Sequence, residues 1–511
     1  MAESAVLTQG EIAFLQKVRA RFPDKLSRLR GGFYDVKDKT GAQVPFRMNA
    51  DQEDFILDRH GLDVILKARQ RGFTTVIQLD MLDDCLFHSN MSAGVIAHNL
   101  RDAKAFFADK IKFAYDKLPE PFRKVVAAEQ DSADSLKFSN GSSIRVGTSL
   151  RSGTLQRLHV SEYGKLCAKA PDRAEEVKTG AFNTVHVGQR ITVESTAEGR
   201  AGGFFDIVQT ARKLAQSNRA LTALDFKFHF YPWFSDEGYV LDADVVEPAE
   251  MVEYFAKLED QGIRLTREQR AWYVKKAGQQ GDKMRQEFPS TPDEAFEAAV
   301  EGAYFAPQMR KVRAEGRICR IPILDIPVDT TWDLGVNDSM SITFWQQVGL
   351  EWRAIDYYEN SGEGFSHYAK VLTDKGYHYR THYMPHDADH RRLGKDAKSS
   401  RQHAEEVGIK PIVVLKRIAE ERDGIEASRQ FLANVWFDES RCSRLIDCMD
   451  SYRREWDDKW GVWKNNPVHD EYSHGYKSFE SAAIRPVPQT KPAPVSVAVP
   501  SMRTAFNRSR V

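Results

Sequence analysis

The sequence predicts an α/β protein with two principal α/β domains. From about residue 47, short β-branched runs alternate with helical patterns, which is typical of a mostly parallel sheet covered by helices on both faces. From about residue 328, three consecutive strand patterns precede a second α/β alternation. The length of 511 residues also exceeds what one hydrophobic core supports, about 250–300 residues, so two to four domains are expected.

Composition limits the class of protein. Apolar residues make up 41% of the chain and charged residues 29%, as in soluble globular proteins. Lys and Arg total 73, as do Asp and Glu, so a nucleic-acid site would have to be a local basic patch. The five cysteines form no CxxC pair, which argues against a disulfide framework and favours a reducing cytosol. Neither a membrane-spanning apolar run nor a signal-peptide core is present, so neither membrane insertion nor secretion is expected.

The chain is expected to divide into consecutive segments with different compositions. These are a helical extension (1–45), a first α/β core (46–205), an accessory subdomain with a linker (206–320), a second α/β core (321–484) and a basic Pro-rich tail (485–511). The tail holds five prolines, five Lys or Arg residues and no acid. It buries too little apolar surface to offset its ordering entropy, so disorder is expected. Such a tail contacts DNA, a partner protein or only solvent.

Strand and helix patterns follow one another in a recognisable order. In the first half, strands are predicted at 64–66, 94–97, 136–138, 144–146, 158–160 and 191–193, with helices at 8–22 and 74–86. Asn140-Gly141, between two of these strands, is a strong hairpin signal. In the second half, strands at 328–335, 341–345 and 351–358 precede helices at 364–372, 401–407 and 425–433, which alternate with strands at 382–385, 412–415 and 435–437. This order is ribonuclease H-like, although a generic α/β domain fits the same pattern.

A candidate phosphate-binding loop, residues 67–75, lies between the first strand and its helix. Backbone N–H groups and the dipole at a helix N-terminus favour an anion there. Gly72 and Thr74 fit the pattern G-x4-G-K-[ST], but Phe73 replaces its lysine and Lys67 stands where its first glycine would be. Lys67 would reach the β- and γ-phosphates of ATP from the loop entrance, and Thr74 would offer its hydroxyl to Mg²⁺. An ordinary basic loop before a helix is the alternative. The remaining loop residues predicted to contact the nucleotide are Arg69, Gln70 and Thr75.

The strand at 158–160 ends in a second element of such a site. Glu162 is placed to orient the attacking water, as the glutamate after a Walker B strand does. Ser161 occupies the place of the usual metal-binding aspartate, which weakens direct metal binding. The alternative is an ordinary carboxylate at the end of a strand. Together with the loop, this strand predicts a P-loop ATPase of the ASCE type with a mostly parallel sheet.

Other residues fit supporting roles around the nucleotide. Arg151 could stabilise γ-phosphate charge in the site of a neighbouring subunit, or form a surface salt bridge. Ser195 and Thr196, which follow the strand at 191–193, suit a γ-phosphate sensor. Asn49 could cap a helix and let Gln52 read the edge of adenine.

Three aspartates in the second α/β core predict a metal-dependent nuclease. Asp333 lies in the first strand, Asp387 follows the fourth strand, and Asp470 opens the last helix. A two-metal phosphodiesterase needs carboxylates that converge on paired ions, and oxygen ligands select Mg²⁺ or Mn²⁺. Taken singly, each acid could be a turn or cap residue, and Asp470 sits where a helix N-cap would. Further candidate ligands are Asp338, Glu359, Asp389, His469 and His474. A zinc site of His386, His469 and His474 lacks the HExxH spacing.

These motifs together resemble the large terminase subunits of tailed double-stranded DNA bacteriophages. The similar segments are KARQRGFTT (67–75), LHVSEYGK (158–165), ESTAEG (194–199), FRMNADQEDF (46–55) and FPSTPDEAF (288–296). The resemblance covers roughly residues 45–480. It implies that Arg151 acts in trans, that Glu162 is the catalytic glutamate, and that Ser195-Thr196 couples hydrolysis to movement. It also implies an acidic nuclease triad of Asp333, Asp387 and Asp470.

The resemblance further implies a function and partners. ATP hydrolysis would drive double-stranded DNA into a procapsid through a homo-oligomeric ring, expected to be a pentamer, in the host cell cytoplasm. The nuclease would cut concatemeric DNA with Mg²⁺ or Mn²⁺. The expected partners are a small terminase subunit and the portal protein. The alternatives are a helicase- or recombinase-like ATPase–nuclease in DNA repair, a nucleotide-gated DNA clamp with a dead ATPase, and a protein in which only the nuclease works.

Overall fold

The computed structural model describes residues 7–486 except 152, 201, 218, 297–301, 336–338, 391–397 and 458–461. Most of the basic tail, residues 487–511, therefore lies outside the described residues. The chain divides into two compact units, residues 1–301 and 302–511. The boundaries of the five predicted segments stay predictions.

Unit 1 is built around a large mixed sheet. Its strands are β1 (Asp35–Lys37), β2 (Gln43–Pro45), β3 (Leu62–Lys67), β4 (Ser92–Ile96), β5 (Ala128–Asp131), β6 (Ser135–Phe138), β7 (Ser143–Gly147), β8 (Leu155–Ser161), β9 (Val185–Ser195) and β10 (Lys227–Tyr231). β1 and β2 form a separate hairpin, and the others lie in the order β10-β3-β9-β8-β4-β7-β6-β5.

The central part of this sheet is parallel. Strands β10, β3, β9, β8, β4 and β7 all run in one direction, and β6 and β5 extend the sheet antiparallel. β9 lies between β3, which leads into the candidate loop, and β8, which ends at Ser161. One strand inserted between these two is the arrangement of the ASCE class, so this part of the predicted fold class is confirmed. The hairpin predicted at Asn140-Gly141 is also confirmed, since β6 pairs with β7 and Gly141 has a φ of 82°.

Helices cover both faces of the sheet. They are α1 (Gln9–Arg21), α2 (Lys25–Gly31), α3 (Ala50–Asp58), α4 (Phe73–Phe87), α5 (Leu100–Phe106), α6 (Phe113–Asp116), α7 (Glu120–Val125), α8 (Tyr163–Lys169), α9 (Pro171–Glu176), α10 (Gly202–Gln216), α11 (Ala249–Asp260), α12 (Arg267–Gln280), α13 (Met284–Glu287) and α14 (Pro292–Ala295). α4, which follows the loop, is buried along most of its length. Its buried Asp83 is held by Arg28 of α2 at 2.6 Å, so even the charged residues of α4 are paired inside the unit.

The segment 206–320 contributes to this sheet. Its sequence indicates mostly helices, but β10 pairs with β3 at the sheet edge. Helices α11 and α12 enclose a smaller aromatic core around Trp233, Tyr254 and Tyr273. Ala68 of the loop is buried in the same core, so this segment supports the loop directly.

Unit 2 contains a second sheet. Its strands are β11 (Ile318–Cys319), β12 (Val328–Asp333), β13 (Ser339–Val348), β14 (Glu351–Ser361), β15 (Tyr379–Met384), β16 (Ile412–Val414), β17 (Val435–Asp438), β18 (Arg454–Asp457) and β19 (Val462–Pro467). β18 and β19 form a separate hairpin, and the others lie in the order β11-β17-β14-β13-β12-β15-β16.

The strand directions in unit 2 match the predicted ribonuclease H-like order. β12, β13 and β14 are antiparallel neighbours, and β15 and β16 run parallel on the other side of β12. This is the 3-2-1-4-5 order, extended beyond β14 by β17 and β11. The predicted fold class is therefore confirmed in unit 2 as well. The sequence patterns indicate neither β11 nor the β18–β19 hairpin, because these strands are short or irregular.

Helices pack on both faces of this second sheet. They are α15 (Ala306–Ala314), α16 (Phe365–Lys375), α17 (Ser400–Glu406), α18 (Glu421–Phe431), α19 (Ser443–Ser451) and α20 (Glu471–Ala483). α20 lies across β12 and β13, where the Ser341 hydroxyl donates to the backbone oxygen of His474 at 2.8 Å and the Ser481 hydroxyl donates to that of Trp332 at 3.2 Å. The first bond fixes the start of α20 against β13, and the second fixes its last turn against β12. Across the residues that can be described, no helix combines the length and hydropathy needed to cross a membrane.

Candidate active sites

The loop between β3 and α4 has a backbone shape that only certain residues adopt. Gln70 has a φ of 59° and Gly72 a φ of 74°, both in the left-handed region. A Cβ atom on Gly72 would lie 2.5 Å from Nε2 of Gln52, so a side chain there would collide with its neighbour as well as strain the backbone. Both the left-handed backbone and the close approach of Gln52 therefore favour glycine at this position.

The loop is fixed from outside by its backbone carbonyl groups. The Tyr239 hydroxyl donates to the carbonyl of Arg69 at 2.5 Å, and Nε2 of Gln52 donates to that of Gly72 at 3.1 Å. Within the described part of the chain, the backbone N–H groups of Gly72, Phe73 and Thr74 donate to no protein acceptor. Unpaired N–H groups at the start of a helix form an anion site, so the loop has the local properties that phosphate binding needs.

Lys67, at the end of β3, is buried against two carboxylates. Its Nζ lies 3.0 Å from Oε2 of Glu194 and 3.6 Å from Oε1 of Glu162. Burial would lower the pKa of Lys67, but the two carboxylates outweigh it and hold the pKa above its ordinary value. Lys67 is therefore a charged cation at the mouth of the loop, held in place by Glu194 on β9 and by Glu162 directly after β8.

Glu194 is the centre of this cluster, and the sequence does not single it out. It lies on β9 directly beside Ser161 of β8, is fully buried, and accepts hydrogen bonds at Oε1 from the hydroxyls of Thr74 and Ser161, each at 2.7 Å. Nε2 of His159 lies 3.5 Å from the same oxygen. Burial would raise the pKa of Glu194, but the charge of Lys67 outweighs it, and the pKa lies well below its ordinary range.

Glu162 has an unusual backbone conformation. Its φ of 55° is left-handed, which is uncommon for a residue that carries a Cβ atom. This turn ends β8, begins α8 and leaves the side chain 21% exposed, with Lys67 on one side and Lys165 at 4.0 Å on the other. Glu162 is thus the accessible acid of the cluster, and Glu194 is the enclosed one.

The structure brings four predicted residues together, namely Lys67, Thr74, Ser161 and Glu162. Thr75 is next to them, and its hydroxyl oxygen accepts from Nζ of Lys110 at 2.8 Å. Burial lowers the pKa of Lys110. Lys110 is a second cation near the loop. The sequence does not indicate this contact, because Lys110 is far from the loop along the chain.

Ser195 and Thr196 are buried at the end of β9. The Ser195 hydroxyl oxygen accepts from the backbone N–H of Gly164 at 3.1 Å. This bond ties the end of β9 to α8, which begins beside Glu162. The two residues are thus close to the cluster, and their sensor role stays a prediction.

The other predicted nucleotide residues make contacts within unit 1. Gln52 accepts from the backbone N–H of Asn49, which caps α3 as predicted, while its amide holds the loop. Arg69 is half exposed and pairs with Glu287 at 3.0 Å. Gln70 is exposed on the loop. The roles of these residues toward a nucleotide stay predictions.

Arg151 forms an intramolecular ion pair. Its Nε lies 2.7 Å from Oε1 of Glu176, and its side chain is half exposed. The surface salt bridge that the sequence leaves open as an alternative is therefore present. A role in the site of a neighbouring subunit stays a prediction.

In unit 2, Asp333 ends β12 in a row of polar residues. It lies beside Ser341 of β13, which in turn lies beside Glu359 of β14. Nδ1 of His474 is 3.1 Å from Oδ2 of Asp333. Burial raises the pKa of Asp333, His474 opposes this, and the negative charge of Asp387 adds to it.

Asp387 lies in a 3₁₀ turn, His386–Asp389, directly after β15. Its Oδ1 is buried and has no hydrogen-bond partner in the described part of the chain. A buried carboxylate oxygen without a donor is unfavourable and fits a position that a cation would complete. The neighbouring Asp389 is exposed and lies 3.7 Å from Arg401.

Asp470 is held by two structural contacts. It caps α20 by accepting from the backbone N–H of Tyr472 at 3.0 Å, and its other oxygen lies 2.9 Å from Nη1 of Arg453, which is buried. The N-cap alternative is therefore confirmed. Asp470 lies one turn before His474, and its role as a metal ligand stays a prediction.

Among the residues that can be described, no group of three or more His, Cys, Asp and Glu side chains is arranged to hold a metal ion. That applies to the acids and to the alternative histidine site. Glu359 pairs with Arg444 at 2.9 Å, the rings of His469 and His474 are 5.8 Å apart, and Asp338 lies outside the described residues. His474 is the candidate that the structure places directly on Asp333.

The folds and these clusters define a class of protein with two α/β units. The first unit has an ASCE-type sheet with a lysine–carboxylate cluster at a phosphate-type loop. The second has a ribonuclease H-like sheet in which Asp333 ends one strand and Asp387 follows the neighbouring strand. Comparison with solved structures matches this chain to phage large terminases. The HK97 bacteriophage large terminase is 14% identical and matches over 90% of this chain and 98% of its own, with a TM-score of 0.43. The ATPase domain of a Thermus phage large terminase is 13% identical over 48% of this chain and 93% of its own, with a TM-score of 0.30.

A third solved structure is that of a single nuclease domain. The large terminase nuclease domain of bacteriophage SPP1, solved with bound Mn, is 15% identical over 31% of this chain and 85% of its own, with a TM-score of 0.25. No protein-family model and no protein of curated function matches the sequence.

Proposed function

We propose that this protein is the large subunit of a phage terminase, an ATP-driven double-stranded DNA translocase that also cuts DNA with a divalent metal. The observation that carries the proposal is the contact of Lys67 with Glu162 and Glu194 below the unpaired N–H groups that begin α4. A cation, an accessible acid and an anion site within one cluster are what hydrolysis of a nucleoside triphosphate requires.

Different residues of unit 1 have different roles in the proposed hydrolysis of ATP. The N–H groups of Gly72 to Thr74 receive phosphate oxygens, and Lys67 neutralises charge on the β- and γ-phosphates. Glu162 orients the attacking water, a role that its partly exposed carboxylate and its left-handed backbone at the end of β8 support. Thr74 would hold Mg²⁺ through its hydroxyl, and Mg²⁺ supplies further neutralisation of phosphate charge. The predicted roles of Arg69, Gln70, Thr75, Ser195 and Thr196 toward ATP belong to this proposal, as does Arg151 acting in trans.

Unit 2 supplies the proposed nuclease. Asp333 ends β12, and Asp387 follows the neighbouring strand β15 and has a buried oxygen without a donor, so both carboxylates suit a shared divalent cation. His474 orients Asp333. Asp470 would join them by releasing Arg453, so the proposal requires a change in that ion pair. Mg²⁺ or Mn²⁺ would activate water and stabilise the leaving oxygen.

The proposed partners follow from the packaging role. Double-stranded DNA would be contacted mainly through phosphates, which makes binding dependent on salt. A small terminase subunit, the portal ring of a procapsid and further copies of this chain, five in a ring, complete the proposed assembly in the host cell cytoplasm.

The deciding experiment separates the two activities in the full chain. Phosphate release from ATP and Mn²⁺-dependent cleavage of plasmid DNA are measured for wild type, Glu162→Gln and Asp387→Asn. We expect Glu162→Gln to lose phosphate release by about 10²–10⁴-fold and keep cleavage, and Asp387→Asn to do the reverse. A wild type that binds ATP without turnover would instead support the nucleotide-gated DNA clamp. ATP-driven movement along DNA that does not require procapsids would support the repair enzyme.

A further inference from the structure

Strand β8, which ends at Ser161, lacks a carboxylate that P-loop enzymes need. In such enzymes Mg²⁺ is held by the hydroxyl of the loop Ser or Thr together with an aspartate at the end of the strand that precedes the catalytic glutamate. Here that aspartate position holds Ser161. A neutral hydroxyl cannot supply the missing negative charge.

The adjacent strand provides a carboxylate at the same level. Glu194 of β9 pairs in register with Ser161 of β8. One of its oxygens, Oε1, accepts from the Thr74 hydroxyl and from the Ser161 hydroxyl, each at 2.7 Å. The loop hydroxyl is therefore already linked to a carboxylate, but that carboxylate comes from the strand between β3 and β8.

We infer that Glu194 takes over the role of the strand-end aspartate, orienting the Thr74 hydroxyl toward Mg²⁺ and supplying the negative charge behind it. Ser161 completes the arrangement by donating to the same oxygen. This inference rests on the proposed ATPase function. Glu194 acts through Thr74 and is therefore a positioning residue.

A simpler role for Glu194 would be that of counter-ion to Lys67, with Nζ at 3.0 Å from Oε2. That role uses only one oxygen and does not explain why two hydroxyls donate to the other. The two roles also differ in what they predict. A counter-ion alone changes how the protein binds ATP whether or not metal is present, whereas a residue that positions the metal changes the gain in affinity that Mg²⁺ brings.

The test is equilibrium binding of ATP to the full chain, once in EDTA and once in Mg²⁺, with unfolding temperature as a check on folding. We expect Glu194→Gln to lose about 10- to 100-fold of the Mg²⁺-dependent gain in affinity. Binding in EDTA should change much less. Asp63→Asn is the matched control, because it removes another fully buried carboxylate from the same sheet, at the opposite end of β3 from the loop.

Two further variants keep the inference testable if Glu194→Gln does not fold. Glu194→Asp keeps the charge beside Lys67 but shortens the reach to Thr74, so it should lose part of the Mg²⁺-dependent gain. Ser161→Asp added to Glu194→Gln returns a carboxylate to β8 and should restore part of it. An undiminished Mg²⁺-dependent gain in Glu194→Gln or Glu194→Asp would overturn the inference.

The same samples separate this inference from the proposed function. If wild type binds ATP with a Mg²⁺-dependent gain but releases no phosphate, the motor function fails and the binding data still decide the role of Glu194. A wild type that binds no ATP in either condition overturns both.

Discussion

Nδ1 of His474 lies 3.1 Å from Oδ2 of Asp333, so the first turn of α20 reaches the end of β12. The pKa of Asp333 is nevertheless raised, because burial and the charge of Asp387 outweigh the histidine. An acid with a raised pKa in the folded state contributes stability that is complete below its ordinary pKa and is lost as the pH rises through the raised value. At pH 7 the charged form of Asp333 therefore costs stability.

Replacement of this acid should stabilise the protein and abolish cutting. We expect Asp333→Asn to raise the Tm of unit 2 by about 1–4 °C at pH 7, because the amide keeps an acceptor for His474 without the charge. Scanning calorimetry with and without Mn²⁺ measures this. Mn²⁺ should raise the Tm of wild type and not that of the variant. A Tm that falls in Asp333→Asn would contradict the argument.

Removal of the loop cation should cost stability as well as turnover. Lys67→Met leaves Glu194 buried without its ion pair, and we expect a loss of about 3–5 kcal/mol in the free energy of unfolding. Adding Glu194→Gln to the same chain should recover most of that loss without restoring phosphate release. Urea unfolding of the two single variants and the double variant gives the coupling energy. Additive losses would show that the two residues do not interact.

The same ion pair predicts how stability depends on pH. The pKa of Glu194 is depressed, so its contribution is complete above its ordinary value of 4.5 and is lost as the pH falls below it. The pKa of Lys67 is raised, so its contribution is complete below 10.5 and is lost only at higher pH. The stability difference between wild type and Lys67→Met/Glu194→Gln should therefore be level from pH 6 to 9 and shrink at pH 4. Urea unfolding at these pH values measures it, and a difference that grows on acidification would reverse the assigned charge states.

Asp470 allows its structural and chemical roles to be separated. Asp470→Asn keeps the helix cap but removes the partner of buried Arg453, and we expect a loss of about 1–3 kcal/mol. Adding Arg453→Met should recover stability, while Mn²⁺-dependent cleavage should stay absent if Asp470 is a ligand. Recovery of cleavage along with stability would assign Asp470 a structural role only. Melting curves and plasmid cleavage on the same preparations decide between the two.

The fold could be predicted because its signals are local. The β-branched runs that become β3, β8 and β9, and the strand–strand–strand pattern from β12 to β14, each show their type within a few residues. β10 escapes prediction because the aromatic KFHFY (227–231) stands alone among helical segments, and only pairing with β3 defines it.

The site could be predicted only in part, for a related physical reason. Lys67, Thr74 and Glu162 occupy positions where a strand meets a helix, and such positions are visible in the sequence. Glu194 lies in ITVES (191–195), where an acid is typical of the exposed face of a strand. Its burial and its contacts depend on the register between β9 and β8, which no local pattern encodes. The contact of Lys110 with Thr75 likewise depends on how a distant helical segment packs against the loop, which no local pattern encodes.

Arg69 is bound by two residues of the segment that follows β10, Tyr239 and Glu287. Its carbonyl accepts from the Tyr239 hydroxyl, its backbone N–H donates to the carbonyl of Glu287 at 2.8 Å, and its guanidinium pairs with the carboxylate of the same glutamate. A movement of the loop relative to this segment would have to break both hydrogen bonds and the ion pair together. The phosphate loop and the aromatic subdomain around Trp233 should consequently move as one rigid body. A displacement of the loop by a bound nucleotide would then be transmitted directly to α11 and α12.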